Sequence, residues 1–199
     1  MGVYEYVHNI IFSGDFSKCY LSVSLSLTYL FFSYTLNIGA MKIGVLSDTH
    51  LTSVTEDFKK TLKKQFGDMD MIIHGGDMTS VAVHDYLSNW ELRVVRGNMD
   101  DYELGAILPV KRVELIMGKK VGIIHGRGSP HNIEDVVFSE FKDVDIIIFG
   151  HSHVPANVRR GGVVMFNPGS YRGSYSHKGT VGMIEIDKGG EITFRHIEV

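Results

Sequence analysis

Five apolar runs end, in chain order, on side chains that bind metals, and this pattern limits the fold more than any other property of the chain. MKIGVLSDTH ends on Asp48 and His50, DMIIHGGD on Asp77, and ELRVVRGN on Asn98. VGIIHG ends on His125, and DIIIFGHSH on His151 and His153. Short apolar runs bounded by turn residues read as buried strands. In open α/β sheets, ligands collect at the carboxyl ends of the strands, where loops converge. The five loops are therefore expected to direct Asp48, His50, Asp77, Asn98, His125, His151 and His153 into one cleft. His151 and His153 are expected to alternate on a strand and face one side together.

Carboxylates, imidazoles and an amide oxygen form a hard-to-borderline ligand set, which suits Mn, Fe, Zn, Ni or Co better than Ca or Cu(I). Seven ligands exceed one tetrahedral zinc, whereas two ions sharing a carboxylate fit the count. Two ions about 3.5–4 Å apart form a clamp for in-line displacement at phosphorus, with an acidified water between them as nucleophile. Each piece alone is weak: a DxH at a strand end, a GD turn or a lone Asn has an ordinary structural reading. The conjunction of five loops in order carries the inference.

The intervening segments place these loops on an α/β scaffold. In TEDFKKTLKKQF, Phe58, Leu62 and Phe66 recur four apart among lysines, the pattern of an amphipathic helix capped by Thr55. TSVAVHDYLSNW reads as a second helix starting after Thr79 or Ser80. The resulting βαβαβ order implies a parallel sheet with right-handed crossovers. Then the rhythm changes. VKRVELIMGKKVGIIHG is a hairpin around Gly118, and HNIEDVVFSEF is a helix with Ile133, Val136 and Val137 inward. VVMFNPGS, TVGMIEID and EITFRHIE are closing strands. Two packed sheets with helices outside are expected.

Composition agrees with a soluble domain: 44% hydrophobic and 22% charged residues in 199, enough for one sizeable core. A net charge of −3 without a basic stripe argues against a nucleic-acid polymer as partner, and so against a nuclease. The one cysteine, Cys19, excludes an internal disulfide framework and suits a reducing, cytoplasmic setting.

Residues 1–40 differ from the rest. Between Lys18 and Lys42 lie 23 uncharged residues, long enough for the roughly 20 a membrane helix needs. Seven of them are Ser, Thr or Asn, and Leu21, Val23, Leu25 and Leu27 alternate with polar residues, a strand-like period. No positive leader precedes the segment. The expected reading is an N-terminal extension outside the fold, with Met41 as an alternative start. A weak anchor or an extra edge strand are the other readings, and no stable membrane partner is expected.

The stretches SDTH, GGDM, RGNMD, IIHGRG and FGHSH, followed by NPGS at Asn167 to Ser170, resemble the calcineurin-like metallophosphoesterase superfamily. The family's pattern is DxH, GD, GN with H/D/E, a strand-end His, then GHxH. The resemblance covers 41–199 and is greatest to the small prokaryotic YfcE-like phosphodiesterases, which implies a four-layer α-β-β-α sandwich. It implies two divalent ions, Mn foremost, with Ni, Fe, Co or Zn as alternatives. Asp48, His50 and His153 would hold one, Asn98, His125 and His151 the other, and Asp77 would bridge. Asn98, His125 and Asp77 would act in catalysis through the ions and the bridging water.

Met99 departs from the family, many of whose members have a histidine there near the leaving group. A thioether has no proton to donate, so the acid role falls to water, Asp100 or Arg127, or stays empty. Arg127 and Arg172 are candidate phosphate ligands. His74 reads as a structural neighbour of the site; His8, His84, His131, His177 and His196 read as surface or packing residues. The implied activity is hydrolysis of a small phosphodiester or nucleotide, in a chain that can form homo-oligomers. The competing function is a protein-interaction scaffold, since some eukaryotic relatives of this small fold serve as such with degraded metal sites.

Overall fold

The computed structural model describes residues 39–175 and 177–199, nearly all within the compact unit Ala40–Val199. The expectations for Cys19, His8 and the alternating leucines lie outside the described residues.

Among the described residues, ten strands form two five-stranded mixed sheets. The first has the order β10-β9-β1-β2-β3, with β1 (Met41–Leu46), β2 (Met71–His74) and β3 (Glu91–Val94) parallel. β9 (Thr180–Ile186) runs antiparallel to β1 and to β10 (Ile192–Glu198). The second has the order β4-β5-β6-β8-β7. Here β4 (Lys111–Ile116) and β5 (Lys119–Ile124) make the expected hairpin, and β5, β6 (Ile146–Phe149) and β8 (Val163–Asn167) are parallel. β7 (Ala156–Arg160) closes the edge antiparallel to β8.

The layers follow from strand alternation, which sends successive side chains to opposite faces. Ile43 and Val45 of β1, Met71 and Ile73 of β2, Val121 and Ile123 of β5, and Ile146 and Ile148 of β6 meet in one cluster between the sheets. The intervening residues face the helices. Leu46 and Ile72 pack on α1 (Glu56–Phe66) and α2 (Val81–Leu87), through Phe58, Leu62, Phe66, Val83 and Leu87. Ile147 and Phe149 pack on Ile133 and Val137 of α4 (Ile133–Ser139). The result is the expected α-β-β-α sandwich.

Thr55 caps α1 by accepting from the Phe58 N–H at 3.2 Å. Gly44, on the helix face of β1, leaves room for the Phe66 ring, which an added Cβ would approach to 2.7 Å.

Two local expectations need correction, and two elements were not foreseen. Val136 is only half-buried, because Ile133 and Val137 already fill the inward face of α4. A short helix, α3 (Tyr102–Ile107), and strand β7 interrupt stretches whose polar residues hid them. Strand β6 stops at Phe149, and His151 and His153 do not alternate on it. Both sit in the following loop with left-handed backbone, φ 70° and 58°, and their rings meet different partners, Asn98 for His151 and Asp48 for His153.

Candidate metal centre

Asp48, His50, Asp77, His151 and His153 all have positive φ, between 46° and 70°. Non-glycine residues rarely adopt this conformation, and it persists where surrounding structure enforces it, often at functional sites. Here hydrogen bonds between loops enforce it. Asp48 N donates to Gly76 O at 3.0 Å, and His50 N to Asp77 O at 3.2 Å. The Asp77 loop binds the next one: Met99 N–H donates to Asp77 Oδ1 at 2.7 Å. Asp100 clasps the same two loops, accepting from Thr79 N and Gly97 N at 2.7 Å each.

The glycines beside the ligands have a steric cause. A Cβ on Gly97 would lie 2.1 Å from Asp77 Oδ1, and one on Gly150 would lie 1.9 Å from Ser47 Oγ and 2.7 Å from Asp48 Oδ2.

The side chains converge in two overlapping groups, Asp48–His50–His153 and Asp48–Asp77–His125, in each of which the ligand atoms lie within 4.8 Å of one another. Asp48 is fully buried. Ser47 Oγ and His151 N donate to its Oδ2 at 2.6 and 3.0 Å. Its Oδ1 faces His153 Nε2 at 3.1 Å, His50 Nε2 at 3.8 Å and His125 Nε2 at 4.0 Å. Asp77 Oδ2 faces His125 Nε2 at 3.3 Å and His50 Nε2 at 3.8 Å. Burial raises both carboxyl groups, but the histidines, with Ser47 at Asp48 and the Met99 N–H at Asp77, hold each below the usual carboxylate range.

Asn98 and His151 stand beside these groups. Asn98 Oδ1 lies 3.1 Å from His151 Nδ1, and the His151 ring centroid is 5.2 Å from that of His125. All seven residues are thus brought together.

The donor set fits divalent cations for a specific reason. Asp48 Oδ1 and His125 Nε2 are buried, and neither makes a hydrogen bond. His125 Nδ1 donates to Gly75 O at 2.8 Å, so in the neutral ring Nε2 presents a lone pair to Asp77. His151 Nε2 donates to Gly128 O at 2.8 Å, which turns the Nδ1 lone pair toward the Asn98 oxygen. His50 Nε2 and His153 Nε2 lie 3.2 Å apart. Acceptors facing acceptors repel unless a proton or a cation stands between them. Burial lowers His125, but Asp77 and Asp48 outweigh it and raise it; Asp48 raises His153, while burial leaves His50 lowered. A proton can serve one such pair, whereas a divalent cation serves several ligands together.

Some neighbours were not singled out from sequence as supports. Asn167 of NPGS is buried and donates from Nδ2 to Gly150 O at 3.0 Å and Ser152 Oγ at 3.1 Å. Ser170 Oγ donates to Asp48 O at 2.8 Å. NPGS therefore grips the backs of the Asp48 and His151 loops. The signal was an Asn-Pro-Gly turn directly after a buried strand. Arg172 donates to His50 O at 3.2 Å, beside the site. Arg127 is exposed and pairs with Glu140 at 3.0 Å.

His74 is buried beside the site in a closed chain of bonds. It accepts from Gly76 N at Nδ1, at 3.2 Å, and faces Thr49 Oγ1 from Nε2 at 3.3 Å. His196 stacks on Phe166, with ring centroids 4.6 Å apart.

Strand-end loops on a four-layer sandwich here present aspartates and histidines in groups that could hold metal ions. Residues 41–189 match the calcineurin-like phosphoesterase superfamily domain, and the chain belongs to that family. A probable metallophosphoesterase of Methanocaldococcus jannaschii is 35% identical over 138 residues, covering 66% of this chain and 69% of that protein. A structurally characterised archaeal phosphodiesterase superimposes with TM-score 0.60 and 25% identity, over 80% of this chain and all of that one. Vps29 of Entamoeba histolytica shares the fold, with TM-score 0.61 and 23% identity, over 80% of this chain and 99% of that one. Among the described residues no helix is long and apolar enough to cross a membrane.

Proposed function

We propose that the protein is a metal-dependent phosphodiesterase that hydrolyses a small phosphodiester at a site for two divalent cations, Mn foremost and Ni, Fe, Co or Zn as alternatives. The observation that carries this reading is the convergence of unsatisfied acceptors on one cleft, Asp48 Oδ1 and His125 Nε2 above all. Bound cations would supply an acidified water and neutralise charge on the phosphoryl oxygens.

Asp77 would be the shared ligand in this reading. Its Oδ1 is held by the Met99 N–H, which leaves Oδ2 between His125 of one group and His50 of the other. Asp48, His50 and His153 would hold one ion; Asn98, His125 and His151 would hold the second. Arg172, beside His50, is better placed to meet a phosphate oxygen than Arg127, which is engaged by Glu140.

The two side chains considered for the acid role, Asp100 and Arg127, are both engaged, Arg127 by Glu140. Both oxygens of Asp100 accept backbone N–H bonds, and Met99 itself is 58% exposed. The leaving group therefore takes its proton from solvent, which favours diesters of acidic alcohols such as phenols. The single cysteine is consistent with work in the cytoplasm.

The test is turnover of bis(p-nitrophenyl) phosphate by the purified chain with each metal in turn. Hydrolysis is expected with Mn. Absence of turnover with every divalent metal refutes the enzyme reading and favours the scaffold.

A further inference from the structure

An open groove of about 530 Å³ adjoins the metal centre at Asn98, with Arg96, Tyr102, Gly105 and Ala106 among its walls. Its size falls within the roughly 300–1,000 Å³ of small-molecule sites. Its acidic lining is already engaged. Asp100 accepts from two backbone N–H groups, and Asp101 caps α3 by accepting from Leu104 N at 2.8 Å. What remains for a ligand is an aromatic ring, a guanidinium and an amide.

Tyr102 is 91% exposed and makes no ring contact among the described residues. Arg96 places Nη1 on Gly105 O at 2.9 Å, and its other guanidinium N–H groups have no hydrogen-bond partner among the described residues. Gly105 sits inside α3, where glycine costs about 1 kcal/mol relative to alanine. Packing does not require it: an added Cβ would meet only Arg96 Cδ, at an ordinary 3.7 Å. Its consequence is a lower groove wall.

We propose that this groove holds the nucleoside of a nucleoside phosphodiester, with the base on Tyr102 and the phosphate beside Asn98. The proposal rests on the phosphodiesterase reading of the adjoining centre and names its substrate class. A nucleobase uses everything the groove offers, since its face stacks on tyrosine and its ring nitrogens and oxygens accept from arginine. An alkyl ester uses neither. The absence of a basic stripe along the chain limits the ligand to a short diester.

Two chromogenic diesters with one leaving group test this: thymidine 5′-(p-nitrophenyl) phosphate and methyl p-nitrophenyl phosphate, assayed with Mn. The wild-type chain is expected to favour the nucleoside diester in kcat/KM. Tyr102→Ala lowers that ratio by about 5–150-fold, the range of base–aromatic stacking by alanine substitution. Tyr102→Phe keeps it, and Gly105→Leu, which fills the groove, lowers it. An unchanged ratio in Tyr102→Ala overturns the proposal.

A titration of the metal-free chain with thymidine, followed by amide NMR, is independent of turnover. Shifts centred on residues 96–106 that disappear in Tyr102→Ala support the groove; no shifts overturn it. Failure of both diesters with every metal, alongside a positive titration, refutes the catalytic reading while leaving the groove as a nucleoside site.

Discussion

The inner and outer halves of the candidate metal centre are held by different means. Asp48, Asp77 and His125 are buried, and each is fixed by donors or acceptors from the protein: Ser47 and the His151 N–H on Asp48, the Met99 N–H on Asp77, and Gly75 O on His125. His50, His151 and His153 are half-buried and Asn98 is exposed, and their ligand atoms face one another. The inner half is fixed by the protein's own donors and acceptors. The outer half offers ligand atoms that face one another. The general lesson is that burial and loop hydrogen bonds set the position of such a centre, while exposed ligands complete it.

The largest effect is expected at the inner half. Losing an outer-shell partner costs about 10–100-fold in metal affinity or activity, so losing a direct carboxylate exceeds that. Asp77→Asn should lower kcat/KM on bis(p-nitrophenyl) phosphate by more than about 100-fold. Wild-type rates in that variant would remove Asp77 from the bridge.

Next comes the spacing that admits the inner carboxylate. Gly97→Ala sets a methyl 2.1 Å from Asp77 Oδ1, and the resulting shift should cost about 1–3 kcal/mol of stability, read by urea denaturation. An unchanged midpoint would show that the two loops are looser than the bonds between them imply.

A buried histidine outside the ligand set gives a pH signature. Burial, which penalises the charged ring, holds His74 down to about 4, and its Nδ1 accepts from Gly76 N. A histidine depressed in the folded state stabilises it fully above its ordinary value near 6.5, and that stability is lost as pH falls toward 4. The wild-type chain should lose on the order of 3 kcal/mol across that window, and His74→Gln should show a flatter acid limb. Parallel pH profiles would contradict the assignment.

The smallest effect belongs to the rim. Met99→His should leave metal uptake intact and weaken the dependence of rate on leaving-group pKa. An unaltered dependence would mean that this position does not approach the leaving group.

Much of the fold was legible because strand bodies obey a period of two and α1 a period near four. Ile43 and Val45 inward, with Phe58, Leu62 and Phe66 on the helix, follow from pattern alone. The seven candidate ligands were legible as residue types at strand ends, and their convergence follows from topology. Their backbone was not. Residues after Phe149 read as more strand because His-Ser-His alternates, whereas the left-handed turns at His151 and His153 depend on bonds from distant residues such as Asn167 to Gly150 and Ser152. Helix α3 was hidden for a related reason. Only Leu104 is buried in it, so no apolar period marks it, and with it the Tyr102 groove stayed out of view.

Metal uptake tests the convergence of these seven residues most directly. The purified chain, stripped with chelator and titrated with Mn by calorimetry with metal analysis, should bind two equivalents and unfold at a higher temperature when loaded. A chain that binds none, with no thermal shift from Mn, Ni, Co or Zn, would contradict the assignment of a cation site.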